Sequence, residues 1–134
     1  MDPVVSRPGE GEVLSKPHRE LRVKALIPEL NLLEYDVGPE YDGAGPHYHE
    51  WHADSFYVLE GELEFQVGEE TIRAPAGTSV VVPPGVVHAF TNASGNRARF
   101  LNVHAPESRF VEYLAARDRG DDVDSAAYDI FDVE

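Results

Sequence analysis

The chain has 134 residues, 42% of them hydrophobic and 10% aromatic, which suits one compact domain around a single core and excludes a large multidomain enzyme. It contains no cysteine, so disulfides, thiolate metal sites and cysteine nucleophiles are excluded, and any metal must be held by His, Asp or Glu. Asp and Glu number 25 against 11 Lys and Arg; the formal charge of -14 repels phosphate backbones and anionic headgroups, so neither nucleic acid nor membrane is expected as a partner.

Residues 1–20 are rich in Pro, Gly and Glu around Val13-Leu14 and read as an N-terminal arm with one edge strand at most. Met1-Asp2-Pro3 opens without the basic and apolar regions of a secretion signal, and no apolar stretch reaches the roughly 20 residues that span a bilayer, so a soluble, cytoplasmic protein is expected. From Leu21 onward come short segments rich in β-branched, aromatic and leucine residues. They run Leu21–Ile27, Leu30–Val37, Ser55–Glu60, Glu62–Val67, Thr71–Ala74, Thr78–Val82, Val86–Asn92 and Ala98–His104. Gly, Pro and acidic turns separate them, notably Gly38-Pro39, Gly43 to Pro46, Gly61, Gly68 to Glu70 and Pro83 to Gly85. Gaps this short leave no room for helical crossovers, so the chain is predicted to be all-β and antiparallel, a sandwich or barrel of six to eight strands.

After Pro106, the run Glu107–Arg117 places Phe110, Val111 and Leu114 at helical spacing, with Glu107 early and Arg117 late as the helix dipole favours. One short C-terminal helix is expected outside the barrel, giving an arm (1–20), a barrel with its closing helix (21–117) and an acidic tail (118–134). That tail carries seven acidic residues and one Arg. Its composition reads as a solvated segment; the sharper alternative is an arm whose Tyr128, Ile130 and Phe131 dock on a neighbouring subunit. The edge strand in the N-terminal arm predicts a homodimer, since exposed edges are commonly covered by a partner.

Three of the six histidines fall in Pro46-His47-Tyr48-His49-Glu50-Trp51-His52. In an extended strand the side chains at i and i+2 point the same way, so His47 and His49 can present two imidazoles to one metal ion. Asp54 follows at the start of a strand, and His88 comes directly after the turn Pro83 to Val87. A His-x-His in a strand is by itself weak evidence, because surface or hydrogen-bonded histidines are commoner. On the last strand Asn102 and His104 alternate with Leu101 and Val103, and periodicity alone leaves open which pair faces inward. Tyr48 and Trp51 flank the ligand loop as rim or packing residues, and His18 in the polar arm reads as a surface residue.

The combination is far more specific. His47-x-His49, four residues, Asp54, six residues, Gly61 resembles the first motif of the cupin superfamily. Gly77, Pro83, Gly85, His88 and Asn92 match every position of its second motif, and the 15 residues Glu62–Ala76 have the length of the loop between the motifs in small single-domain bacterial cupins. The resemblance spans His47 to Asn92, about a third of the chain. It implies a double-sheet jelly-roll barrel and a metal site of His47, His49, Asp54 and His88. Two positions depart from the family pattern: the usual Glu is Asp54, one methylene shorter, and the Gly expected six positions before the first His is Tyr41. His52 could substitute for the shorter acid. Asp54 is preferred because it is in register with Phe56 and Val58 and should share their face of the strand.

Three imidazoles and a carboxylate leave positions open on a metal with five or six ligands, as substrate chelation or O₂ activation requires. The text Ser55 to Leu63 is similar to that of the quercetin-dioxygenase-like cupins and implies a metal-dependent oxygenase acting on a small organic molecule. The metal is one divalent first-row ion among Fe, Mn, Ni, Cu, Co and Zn. Alternatives are a metal-assisted isomerase or lyase of a sugar or keto acid, and a non-catalytic module that binds a small ligand. Gly61 and Gly85 are expected at positive φ, and Asn92 as a turn-capping residue.

Overall fold

The computed structural model describes residues 1–133; Glu134, the end of the expected tail, lies outside the described residues. Eleven strands and one helix follow in order: β1 (Glu12–Lys16), β2 (Arg19–Ile27), β3 (Leu30–Val37), β4 (Ala44–Tyr48), β5 (Ala53–Glu60), β6 (Glu62–Val67), β7 (Glu70–Pro75), β8 (Ser79–Val82), β9 (His88–Thr91), β10 (Ala98–Ala105), α1 (Phe110–Asp118) and β11 (Phe131–Asp132). They form two antiparallel sheets, β1-β2-β3-β10-β5-β8 and β11-β4-β9-β6-β7. The fold is the antiparallel double-sheet barrel predicted, with more strands than the six to eight expected. β1 is the edge strand read in the N-terminal arm, and the additions are β4 and β11. Gly43-Ala44-Gly45-Pro46 reads as a turn but pairs as β4 because β9 supplies a register, Ala44 to Phe90 and His47 to His88, and β11 covers its other edge.

Strand alternation decides what enters the barrel. Along β3 every second residue is buried, among them Leu33, Tyr35 and Val37; along β5 the inward set is Asp54, Phe56 and Val58; along β10 it is Ala98, Phe100, Asn102 and His104. The middle of the core is aromatic: Phe56 lies 4.9 Å from Phe65 and 5.1 Å from Phe90, and Tyr35 stacks on Phe100 at 4.6 Å. Each such ring contributes about 1.5–3 kcal/mol through burial. At one end of the barrel the inward positions change from apolar to Asp54, Asn102, His104 and the motif histidines.

Gly61 joins β5 to β6 at φ 76, packed against the Arg97 carbonyl and Ala98, so a side chain there is both strained and obstructed. Gly43 takes φ 72 where a Cβ would collide with the Phe90 carbonyl oxygen. Asn92 caps its turn through backbone groups: its amide donates to Gly38 O and Asn96 O, and its oxygen accepts from the Ser94 N–H.

The helix starts three residues later than predicted. Glu107 accepts hydrogen bonds from the Arg109 N–H at 2.6 Å and the Asn31 amide at 2.9 Å, and Arg109 is left-handed at φ 63, so the chain turns before it can wind. Neither path expected for the acidic segment describes it. After α1 the chain runs back over its own barrel: a 3₁₀ turn, Ser125–Tyr128, leads to Asp129 and Ile130, both buried, and β11 pairs with β4. Phe131 stacks on Tyr48 at 5.2 Å, which assigns Tyr48 to packing, while Trp51 stays half-exposed.

Candidate metal centre

Three strands or their ends bring three imidazoles and one carboxylate together. β4 carries His47 and, one residue past its end, His49, both buried, with Tyr48 directed outward between them. β9 opens with His88, directly paired to His47, their rings 4.3 Å apart. The turn before it is tied to the first loop by the Gly85 N–H, which donates to His49 O at 2.6 Å. Asp54 enters from β5, buried on the face of Phe56 and Val58 as register required.

Each imidazole is fixed by its Nδ1. That atom donates to Gly45 O at 2.7 Å in His47, to Asp129 O at 2.7 Å in His49 and to Val86 O at 3.0 Å in His88. A backbone carbonyl can only accept, so the proton belongs on Nδ1 and the Nε2 lone pair is free. The Nε2 atoms of His88 and His49 lie 3.0 and 3.3 Å from Asp54 Oδ2. Donors that share one ion at about 2.1 Å are about 3.0–3.4 Å apart at octahedral or tetrahedral angles, so these separations suit a coordination edge. One donor atom from each of His47, His49, Asp54 and His88 falls within a group spanning at most 4.8 Å; the cluster could hold a metal ion. The shorter side chain of Asp54 is no obstacle, because β5 brings it among the imidazoles.

His52 belongs to a different arrangement. Its Nδ1 lies 2.7 Å from Asp129 Oδ2 and its Nε2 2.9 Å from His104 Nδ1; His104 Nε2 donates to Asn102 Oδ1 at 2.9 Å. The Asn102 amide nitrogen donates to Asp54 Oδ1 at 2.7 Å and to Ser55 O at 3.0 Å. A buried line of close polar contacts thus runs Asp129, His52, His104, Asn102, Asp54; its three links through the two rings need three ring protons, one more than two neutral imidazoles carry. The polar pair of β10 faces inward and orients the central carboxylate.

Asp129 was not singled out from sequence. Its carboxylate accepts from the Glu50 N–H at 2.7 Å, the Trp51 N–H at 3.0 Å and the His52 N–H at 3.2 Å, while its carbonyl holds His49. It adopts φ 60, an uncommon conformation for a residue with a side chain. The only sequence signal is the short apolar cluster Tyr128, Ile130 and Phe131 around it in an acidic run.

Burial dominates the titration behaviour. It pulls His47 down to about 4, assisted by the neighbouring His88, and His104 likewise to about 4. His52 is also lowered by burial, partly offset by Asp129. Burial acts against the Asp54 carboxylate, yet His104, His49 and His88 hold it well below the usual range; in turn Asp54 raises His49 against the opposing effect of burial. Asp129 is lowered because the Trp51 and Glu50 N–H groups outweigh its desolvation.

A cavity of about 840 Å³ opens onto His47, His49 and Asp54. Phe56, Phe90, Tyr35 and Tyr41 line its apolar part, and Phe110, Tyr113 and Leu114 make α1 one of its walls. His18 lies exposed along this cavity, 3.4 Å from Glu40.

The cupin domain family matches residues 33–104. A quercetin 2,3-dioxygenase of Bacillus subtilis (strain 168) is 30% identical over 91 residues, 66% of this chain and 27% of that protein. The chain spans about a third or less of the length of the curated relatives it matches. Among solved structures, KdgF from Halomonas sp. superposes with a TM-score of 0.70 at 21% identity, covering 78% of this chain and 94% of that one. The structure of FeII HppE gives a TM-score of 0.63 at 25% identity over 75% of this chain and 59% of that one.

Proposed function

The chain belongs to the cupin domain family, and from that premise we propose that it is a metal-dependent oxygenase of a small organic molecule, its single divalent ion held by His47, His49, Asp54 and His88. One observation carries the reading. Three imidazoles have Nδ1 committed to backbone carbonyls and Nε2 gathered around a buried carboxylate rather than a backbone group, the arrangement that lets histidine act as a neutral ligand. Similarity to a dioxygenase supports the reaction class.

When bound, a first-row ion with open positions supplies substrate chelation and O₂ activation. The chain's own residues do the rest. Asn102 holds the Asp54 carboxylate through a 2.7 Å hydrogen bond, Asp129 fixes the His49 ring, and the aromatic cavity beside His47 receives the substrate and excludes water from it. The same reading takes the protein as a cytoplasmic homodimer. In its support, β1 forms one edge of the six-stranded sheet, and among the described residues no helix is long and apolar enough to cross a membrane.

The test is to load purified protein separately with Fe(II), Mn(II), Ni(II) and Co(II), measure metal per chain, and follow O₂ uptake on a panel of flavonols and diketones. The expected result is one ion per chain and uptake that depends on it. Absence of bound metal overturns the ligand set, and anaerobic turnover of a panel compound overturns the oxygenase reading.

A further inference from the structure

The cavity beside the histidine cluster has a second polar wall. Arg19, the first residue of β2, points inward on the face of Leu21, and only 8% of it is exposed. A guanidinium carries five N–H donors and no acceptor. Here Nη2 donates to Asp118 Oδ2 at 2.5 Å, Nε is enclosed by protein without a partner, and among the described residues no other group accepts from the side chain, which leaves Nη1 as the donor open to the cavity. Asp118, the last residue of α1, is the more exposed member of the pair, its side chain 20% accessible. A buried cation with unfilled donors is costly unless an acceptor completes it. The other acids on this cavity, Glu40, Asp42 and Asp132, lie exposed to solvent, and Asp54 belongs to the histidine cluster.

We propose that Arg19 anchors the carboxylate of the substrate, whose opposite end reaches the histidine cluster. The molecule is then a small organic acid with an aromatic or otherwise apolar middle, matching Phe56, Phe90, Tyr35 and Tyr41 between the two polar ends. A planar carboxylate fits the guanidinium fork. A phosphate shares that chemistry, but Lys16 and Arg117, the other cations on this cavity, are exposed, and one buried cation already facing Asp118, in a chain of charge -14, balances a single negative charge better than two. The proposal rests on the metal reading only for the far end of the substrate.

The probes are 3-(3,4-dihydroxyphenyl)propanoate, its uncharged amide and the corresponding phosphonate, titrated calorimetrically into the full chain with and without metal. The wild type should bind the acid about tenfold more tightly than the amide, a difference of about 1.4 kcal/mol, and more tightly than the phosphonate. In Arg19→Met the acid and amide should become equal while metal content is unchanged, with Arg19→Lys intermediate. Asp118→Asn, which keeps Arg19 and removes its competing acceptor, should tighten the acid about threefold or more. A purely structural ion pair would lose stability in that variant without any gain in acid binding, so the variant keeps the test decisive if Arg19→Met does not fold. The proposal is overturned if the wild type binds acid and amide equally or binds neither, if the preference survives in Arg19→Met, or if the phosphonate binds best. Preference for the acid in a chain that takes up no metal would sink the metal reading and leave the Arg19 anchor standing.

Discussion

Five buried histidines surround Asp54, and they divide into two sets that burial does not distinguish. His47, His49 and His88 are 8%, 3% and 1% exposed; His52 and His104 are 1% and 2% exposed. In the first set one nitrogen of each ring is tied to a backbone carbonyl, and in His49 and His88 the other lies 3.3 and 3.0 Å from the carboxylate. In the second set both nitrogens of each ring are engaged, in a line from Asp129 to Asn102. Recruiting either of these as a ligand would break a buried hydrogen bond at a cost of about 1–3 kcal/mol. His49, His52 and His104 also come close enough together to hold an ion; on the proposed reading the two sets are separated by what the second nitrogen does, a tertiary property that residue type and spacing only suggest.

The largest effect that would test this division comes from deleting one member of each set. His88→Ala removes an imidazole from β9 while leaving Phe56, Phe65 and Phe90 in place, so the barrel should keep its circular dichroism and metal affinity should fall more than about 100-fold. His52→Ala should retain most of the metal. Metal content by mass spectrometry checks both, and loss in His52→Ala with retention in His88→Ala would reverse the assignment.

A smaller effect is expected where the sets meet. Asp129 holds His49 through its carbonyl and the Glu50 to His52 backbone through its carboxylate. Asp129→Ala should loosen the loop and weaken metal binding by about 10- to 100-fold, the range for residues that orient a ligand. Asp129→Asn, which keeps one acceptor oxygen, should recover part of this. Unchanged affinity in Asp129→Ala would mean that the C-terminal segment merely covers the barrel.

The first set was legible in sequence because its determinants are local. The i and i+2 alternation brings His47 and His49 together, and register with Phe56 and Val58 turns Asp54 inward. The second set was not. Asn102 and His104 share β10 with Leu101 and Val103, and a period of two cannot tell a polar interior from an apolar one; the answer lies in Asp54 on the neighbouring strand, paired with His104. His52 finds its partner 77 residues away, in a segment whose acidic composition reads as solvated. β4 was hidden by its glycines and proline, since its strand character is supplied by β9 and β11 rather than by its own residues.

A separate effect, on stability rather than metal affinity, comes from both sets together. In the metal-free protein His47 and His104 stay neutral down to about 4, whereas in the unfolded chain they protonate near the ordinary imidazole value of 6.5. The stabilisation these two rings confer is thus fully present above about pH 6.5 and is lost progressively as pH falls toward 4. Its size is on the order of 3 kcal/mol for His104 and less for the more exposed His47. His52, also lowered, acts in the same direction. His49 is raised, so its contribution is complete below its unfolded value and fades as pH rises through the folded one; it opposes the trend without reversing it. Denaturant midpoints of the metal-free protein should fall steadily from pH 6.5 to 4. His104→Gln, which removes one titrating ring and keeps a hydrogen-bonding side chain, should flatten that fall; an identical slope in the variant would show that His104 does not stay neutral in the folded state.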